Sequence, residues 1–301
     1  MAQMREAVFI GHRTSRHGPE AFAEVSKALV SRGISIVEAH QVETCKQLGR
    51  RVKRAVKSGH ELILVAGGDG SQTAAVGPLA YSKAVLGVIP AGTGNSFAQS
   101  LGMKPTIEDA IETIVNGRIA QVDLGIVNGE YFANFATIGL ASQIAIATPK
   151  LLKKIVGGVA YGLAAVVPML TQRPFTAKIS WERNTLKLQT FQMIVANGRY
   201  FGNTPILPNA TITDGRLAFF TTVGPGRFEV MRMYLAFLQG SQAELPDAHY
   251  FQTESLTIKT KGRQRIAVDG SEFGYTPAKF SVAPKALRVM VPQSPDTACE
   301  V

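Results

Sequence analysis

Cysteine is nearly absent from this chain of 301 residues: only Cys45 and Cys299 occur, far apart. Two distant cysteines make no disulfide framework, and a reducing compartment is the natural reading. Acidic residues are also scarce, 22 Asp and Glu against 32 Lys and Arg, which leaves a net charge of +10. That balance suits anionic partners, namely nucleotides, acidic lipid surfaces or nucleic acid, and does not choose among them. Nucleic acid is not expected, because no motif interleaves basic and aromatic residues. Long apolar runs are missing too. The most apolar stretch, 155–170, is short for a membrane span and is broken by glycines and Pro168. The opening residues "MAQMREAVFIGHR" lack the apolar centre of a signal peptide, so a cytoplasmic protein is expected. Charged residues make up 18% of the chain and hydrophobic ones 46%, which excludes a disordered chain and predicts packed cores.

The first part of the chain alternates strand-like and helix-like segments. "AVFIG" (Ala7–Gly11), "ISIVEA", "ELILVAGG" and "AVLGVIP" read as buried strands. Gly18–Gly33 reads as a helix, with Pro19 suited to its start and Gly33 to its stop. The segment "ETCKQLGRRVKRAVKSG" reads as another, with Cys45, Leu48, Val52, Ala55 and Val56 on one face. A third is expected over Thr73–Tyr81. Such alternation predicts a doubly wound α/β domain with a parallel sheet. From about Asp123 the pattern becomes a series of strand-like segments bounded by turns, with the period-2 alternation of half-buried antiparallel strands in "AKISW" and "LTIKT". Two helical stretches, 149–170 and 227–240, interrupt them. The expected organisation is an α/β nucleotide-binding domain over 1–121, then a mainly antiparallel β-sandwich with inserted helices over 122–285, with 286–301 returning to the first domain.

Two of the strands open onto glycine-rich polar turns, "GGDGS" (Gly67–Ser71) and "PAGTGNSFA" (Pro90–Ala98). In a doubly wound sheet, ligands sit beyond the carboxyl ends of the strands. Backbone without Cβ atoms can approach a ligand closely, and its N–H groups, with the following helix N-terminus, suit phosphate. Ordinary tight turns are the plainer alternative, and neither loop carries the GK[ST] ending of a P-loop or the GxGxxG pattern.

These two loops, followed in order by "VDLGIVNGEYFANFATIGL", "NGRYFGNTPILPNATITDGRLAFF" and "VDGSEF", resemble the diacylglycerol kinase catalytic-domain family, which includes YegS-like, sphingosine and ceramide kinases. The resemblance spans about 200 residues of this chain. It implies an ATP- and Mg²⁺-dependent kinase of a lipid alcohol such as diacylglycerol, its cleft enclosed by two domains. Gly67, Gly68, Asp69, Gly70, Ser71 and Thr73, with Thr93 and Asn95, would contact the nucleotide. Asp269 in "VDGSEF" is the implied general base, with Glu272 as its companion. The "ATITDGRL" loop would hold a structural Mg²⁺ through the Asp214 carboxylate and the carbonyls of Thr211 and Arg216, although an Asp-Gly pair is also an ordinary hairpin signal. Asp123 would join an acidic network near the catalytic metal.

The sequence departs from the family pattern at four places. Gly11 and His12 replace the Asn-Pro of the first loop, Ala39 and His40 stand where a threonine is usual, and Ser96 stands where GTGND has its Asp. Ser271 takes the Glu place of the DGE motif, with Glu272 one residue later. In an extended strand that shift turns the carboxylate to the other face, unless the turn bulges. A weak or inactive nucleotide- or lipid-binding relative is therefore the alternative, and an NAD kinase a more distant one. A basic stripe, Lys46, Arg50, Lys53, Arg54 and Lys57, follows helical spacing, and Lys150, Lys153 and Lys154 precede the apolar stretch. Each suits either a solvated or packed helix or peripheral contact with an anionic membrane surface. A homodimer is left open.

Overall fold

The computed structural model describes residues 6–13, 18–147, 172–201, 204, 205, 207, 209–224, 232, 235, 236, 241 and 244–293. The helix expected at 149–170, with its membrane reading, and most of the one expected at 227–240 lie outside them. The chain divides into two compact units, residues 1–124 with 284–301, and residues 125–283.

The first unit follows the alternation read from the sequence. It comprises β1 (Glu6–His12), α1 (Gly18–Ser31), β2 (Ser35–Val42), α2 (Cys45–Lys57), β3 (Leu62–Gly67), α3 (Asp69–Leu79), β4 (Val85–Pro90), α4 (Ser96–Ser100) and α5 (Ile107–Asn116). Every residue of β3 and β4 is buried, as continuous apolar runs in a parallel sheet should be. The strands pair in parallel in the order β2-β1-β3-β4. α2 starts at a capping box in which Thr44 accepts from the Gln47 N–H and the Gln47 side chain accepts in return. It buries Leu48, Val52 and Ala55, while Cys45 is exposed, so the apolar face is narrower than the sequence suggests. The strand β5 (Arg118–Val127) then carries the chain into the second unit.

The second unit continues with β6 (Glu130–Phe132), β7 (Phe135–Gly139), α6 (Leu140–Ala147), β8 (Phe175–Trp181), β9 (Asn184–Thr190), β10 (Gln192–Ala196), β11 (Tyr200–Phe201), β12 (Thr204–Pro205) and β13 (Leu217–Thr222). It ends with β14 (Ala248–Thr253), β15 (Ser255–Thr260), β16 (Arg265–Val268), β17 (Ser271–Tyr275) and β18 (Ala278–Val291). An antiparallel sheet runs β14-β13-β10-β7-β16-β17, and β18, β15, β8 and β9 form a second antiparallel run. Alternate residues of both fill one core that includes Ile138, Val195, Phe219 and Ile266 from the first and Ile179, Ile258 and Phe280 from the second. Burying each large apolar side chain contributes about 1.5–3 kcal/mol, so this core dominates the stability of the unit. On the other face of the first sheet, Phe135, Ile194, Leu207 and Phe220 form a smaller core. The last half of β18 lies in the first unit, where Arg288 and Val289 pair in parallel with Val85 and Leu86 of β4.

Candidate active site

The two glycine loops meet in the first unit. β3 ends at Gly67, and α3 begins two residues later at Asp69, four residues ahead of the start expected from the sequence. The GGDGS residues therefore form the end of a strand and the first turn of a helix rather than a free loop. The helix has Gly68 as N-cap, with no side-chain cap bond, and the Ser71 N–H donates to the Gly68 carbonyl at 2.8 Å. Gly68 and Gly92 touch backbone to backbone: a Cβ built on Gly92 would stand 2.4 Å from the Gly68 Cα. Only glycine allows that approach, so the glycines hold the loops together as well as leaving room for a ligand.

Asp69 fastens the same contact. Its Oδ1 accepts from the Phe97 N–H at 3.0 Å and its Oδ2 from the Ser96 hydroxyl at 3.4 Å, so one carboxylate ties the start of α3 to the start of α4. Ser96, which departs from the family pattern, supplies a donor there. Asn95 has φ +50° and turns inward, its Oδ1 accepting from the Gly92 N–H at 2.9 Å and its Nδ2 donating to the Gly92 carbonyl at 3.1 Å. Ser71 is buried, Thr73 donates its hydroxyl to the Asp69 carbonyl at 3.0 Å, and Thr93 is exposed. Among the residues expected to contact nucleotide, Asp69 and Asn95 thus brace the loops. Residue spacing gives no sign of that role, because the partner of Asp69 lies 28 positions away.

Burial pushes the Asp69 carboxyl pKa up, outweighing the hydrogen bonds from Phe97 and Ser96. A folded-state pKa above the unfolded value means that ionisation opposes folding. The contribution is intact below the ordinary value of 3.8 and is lost as pH rises through the raised folded value. Asp69→Asn keeps an acceptor for Phe97 and removes the buried charge. It should melt higher than wild type at about pH 8, with the gap closing toward about pH 4. A melting-temperature series over that range checks this, and a gap of constant size would refute the titration argument.

In the second unit, Asp269 and Gly270 join β16 to β17 with φ +45° and +77°, the double positive φ of a tight hairpin turn. Asp269 is buried. Its carboxylate accepts from the backbone N–H groups of Ala133, Asn134 and Phe135 at 3.0, 3.1 and 2.8 Å, the last two through Oδ1. One side chain thus fixes the hairpin to the β6–β7 corner. Register slips between Ile266 and Ala267, whose partners are Gly274 and Glu272, so Phe273 is an extra residue in the ladder. Phe273 packs against the main core. Glu272 lies opposite Ala267, half-exposed and 4.0 Å from the Arg265 guanidinium. The bulge lies beyond Glu272: from the turn the ladder runs regularly, Val268 opposite Ser271 and Ala267 opposite Glu272, so Glu272 and Ser271 still point to opposite faces.

Asp214 is exposed. Its Oδ1 accepts from the Arg216 N–H at 2.9 Å, and its Oδ2 accepts from Gln252 Nε2 at 3.2 Å. That same amide donates to the Asn209 carbonyl at 3.0 Å, so two oxygens converge on one donor. The Asp214 charge and, more strongly, burial push the Tyr250 hydroxyl pKa up. Thr211 is exposed on the same turn. Among the described residues no cluster of three His, Cys, Asp or Glu side chains stands ready for a metal. Asp123 is buried and accepts from the Lys285 N–H at 2.7 Å, which ties β5 to β18 within the first unit.

The chain matches two known domain families over most of its length. Residues 6–127 match the diacylglycerol kinase catalytic domain, and residues 137–291 match the YegS C-terminal NAD kinase beta sandwich-like domain. The chain belongs to the diacylglycerol kinase family of lipid kinases. It is a phosphotransferase by family, with the α/β and β-sandwich architecture expected from its sequence. A diacylglycerol kinase of Staphylococcus epidermidis is 26% identical over 278 residues, covering 91% of this chain and 86% of the relative. A probable YegS-like lipid kinase of Shewanella frigidimarina is 28% identical over 258 residues, covering 84% and 82%. A solved diacylglycerol kinase structure from Bacillus anthracis superposes with a TM-score of 0.74 at 20% identity over 97% of this chain and 98% of that one, which shows the shared fold. Among the described residues no helix is long and apolar enough to cross a membrane.

Proposed function

We propose that this lipid kinase transfers the γ-phosphate of ATP to the hydroxyl of diacylglycerol or a similar lipid alcohol. The observation that carries the reading is the Gly68–Gly92 contact braced by Asp69, which sets two phosphate-grade loops side by side. The loop backbone and the N-terminus of α3 hold the phosphates. Glu272 takes the proton of the attacking hydroxyl as the new O–P bond forms, and the bond from the γ-phosphorus to the bridging oxygen breaks to release ADP. Phosphoryl transfer depends on positioning and charge neutralisation more than on covalent chemistry. Asp269, with both oxygens already accepting N–H bonds, positions the hairpin that carries Glu272.

Magnesium, when bound, would neutralise phosphate charge, since the two glycine loops carry no Lys or Arg. The turn of Asp214, with the carbonyls of Thr211 and Arg216, fits a hard cation by its all-oxygen donors, and the convergence of Asn209 and Asp214 oxygens on one amide donor supports that fit. The exposed Lys46, Arg50, Lys53, Arg54 and Lys57 of α2 suit attraction to an anionic lipid surface, where substrate would be met. Incubation with γ-labelled ATP, Mg²⁺ and mixed micelles of diacylglycerol tests the reading. Label should move into a lipid phosphate, and chelation of divalent cations should stop it. ATP bound without label reaching any lipid would leave a nucleotide-binding relative instead.

A further inference from the structure

An open pocket of about 460 Å³ lies wholly within the second unit, where β8 begins and the β15–β16 connection passes. Its polar lining comes from Gln143, Gln172, Arg173, Gln189, Lys261 and Gln264, and Phe175 also borders it. Among the described residues no carboxylate lines it, and neither Arg173 nor Lys261 has an ion-pair partner there. Two positive charges among four amides exclude a cation as ligand and leave the ammonium of a zwitterion without a partner. Amides serve hydroxyls and phosphate oxygens equally, and a guanidinium fork pairs with phosphate through two parallel bonds.

The walls are held in place. Gln143 donates to Gln172, and Gln172 donates to the Arg173 carbonyl at 3.0 Å. The Lys261 N–H donates to the Thr176 carbonyl at 2.9 Å, and the Gln264 backbone is bonded on both sides to Thr276, at 2.9 and 3.0 Å. The volume is in the range of small-molecule sites and much larger than a bare phosphate fills. The surplus polar lining calls for a ligand with hydroxyls beside its phosphate.

We propose that this pocket binds the phosphate ester of a small polyol, as carried by the head group of an anionic phospholipid or by a soluble glycerol phosphate. The site stands on the second unit alone and does not depend on the kinase reading, so it is tested by binding.

Titration calorimetry of the full chain with glycerol 3-phosphate forms one arm. Co-sedimentation with phosphatidylglycerol–phosphatidylcholine vesicles, against phosphatidylcholine alone, forms the other. Saturable binding in either arm is expected, and which arm responds identifies the source. Arg173→Ala with Lys261→Ala should weaken it about tenfold or more. Gln264→Leu, which leaves the charge unchanged, should weaken it by roughly threefold or more. Both variants alter side chains that project from a bonded backbone, so their melting temperatures should match wild type. Absence of binding in both arms would overturn the proposal. So would binding indifferent to the double substitution, or indifferent to Gln264→Leu, which would reduce the effect to diffuse attraction.

Discussion

Glu272→Gln should slow lipid phosphorylation by about 10²–10⁴-fold while nucleotide affinity and melting temperature stay at wild-type values. Glutamine matches glutamate in shape and cannot accept the hydroxyl proton. The fold should tolerate the change because Glu272 is half-exposed and its contact with Arg265, at 4.0 Å, is a surface ion pair of about 0–1 kcal/mol at most. Asp269→Asn should behave in the opposite way. Its amide would present N–H₂ toward an N–H group that Asp269 now accepts, and a buried polar group left unpaired costs about 1–3 kcal/mol. Loss of stability with partial loss of rate is therefore expected for Asp269→Asn, against loss of rate alone for Glu272→Gln. Steady-state kinetics and thermal melts of the two variants decide the assignment. A fully active Glu272→Gln together with a stable but inactive Asp269→Asn would make Asp269 the proton acceptor.

The difference between these two acids marks how far the sequence could be read. Buried strands such as β3 and β4 were legible because their apolar runs end at glycine or proline, and the antiparallel strands because of their period-2 alternation. The helix start at Asp69 was not, because glycine and aspartate are poor interior helix formers and only the strand geometry before them sets the first turn. α5, absent from the alternation read in the first part of the chain, does carry start signals: Thr106 caps it, and Glu108 and Asp109 occupy its first turn. β14 is hard to see in the sequence because nearly all its residues are half-buried, which blurs the alternation. Within the site, motif order singled out the loops and turns, but the partners of Asp69 and Asp269 are tertiary. The N–H groups that Asp269 binds lie 134 to 136 residues away, and no local pattern encodes such a bond. Similarly, the bulge at Phe273 follows from a core contact, and core contacts are set by the assembled sheets.

Gly92→Ala should cost the protein about tenfold or more in ATP affinity and roughly 1–3 kcal/mol in stability. The added methyl would stand 2.4 Å from the Gly68 Cα, 2.9 Å from Asn95 Oδ1 and 3.3 Å from the Gly68 N. Two of these are backbone atoms, so no side-chain rotation relieves the overlap and the loops must part. Parting strains the two hydrogen bonds by which Asn95 holds Gly92, and it pulls on the Asp69–Phe97 bond that joins the same segments. Gly68→Ala supplies the internal comparison. There the methyl would meet the Gly92 Cα at 3.1 Å, a contact that a shift of a few tenths of an ångström absorbs, so its damage should be smaller in both measurements. Equilibrium binding of ATP and thermal melts on the two variants give the ranking. Wild-type affinity and stability in Gly92→Ala would mean that the loops do not depend on their contact, and the glycine pair would lose its place at the centre of the nucleotide site.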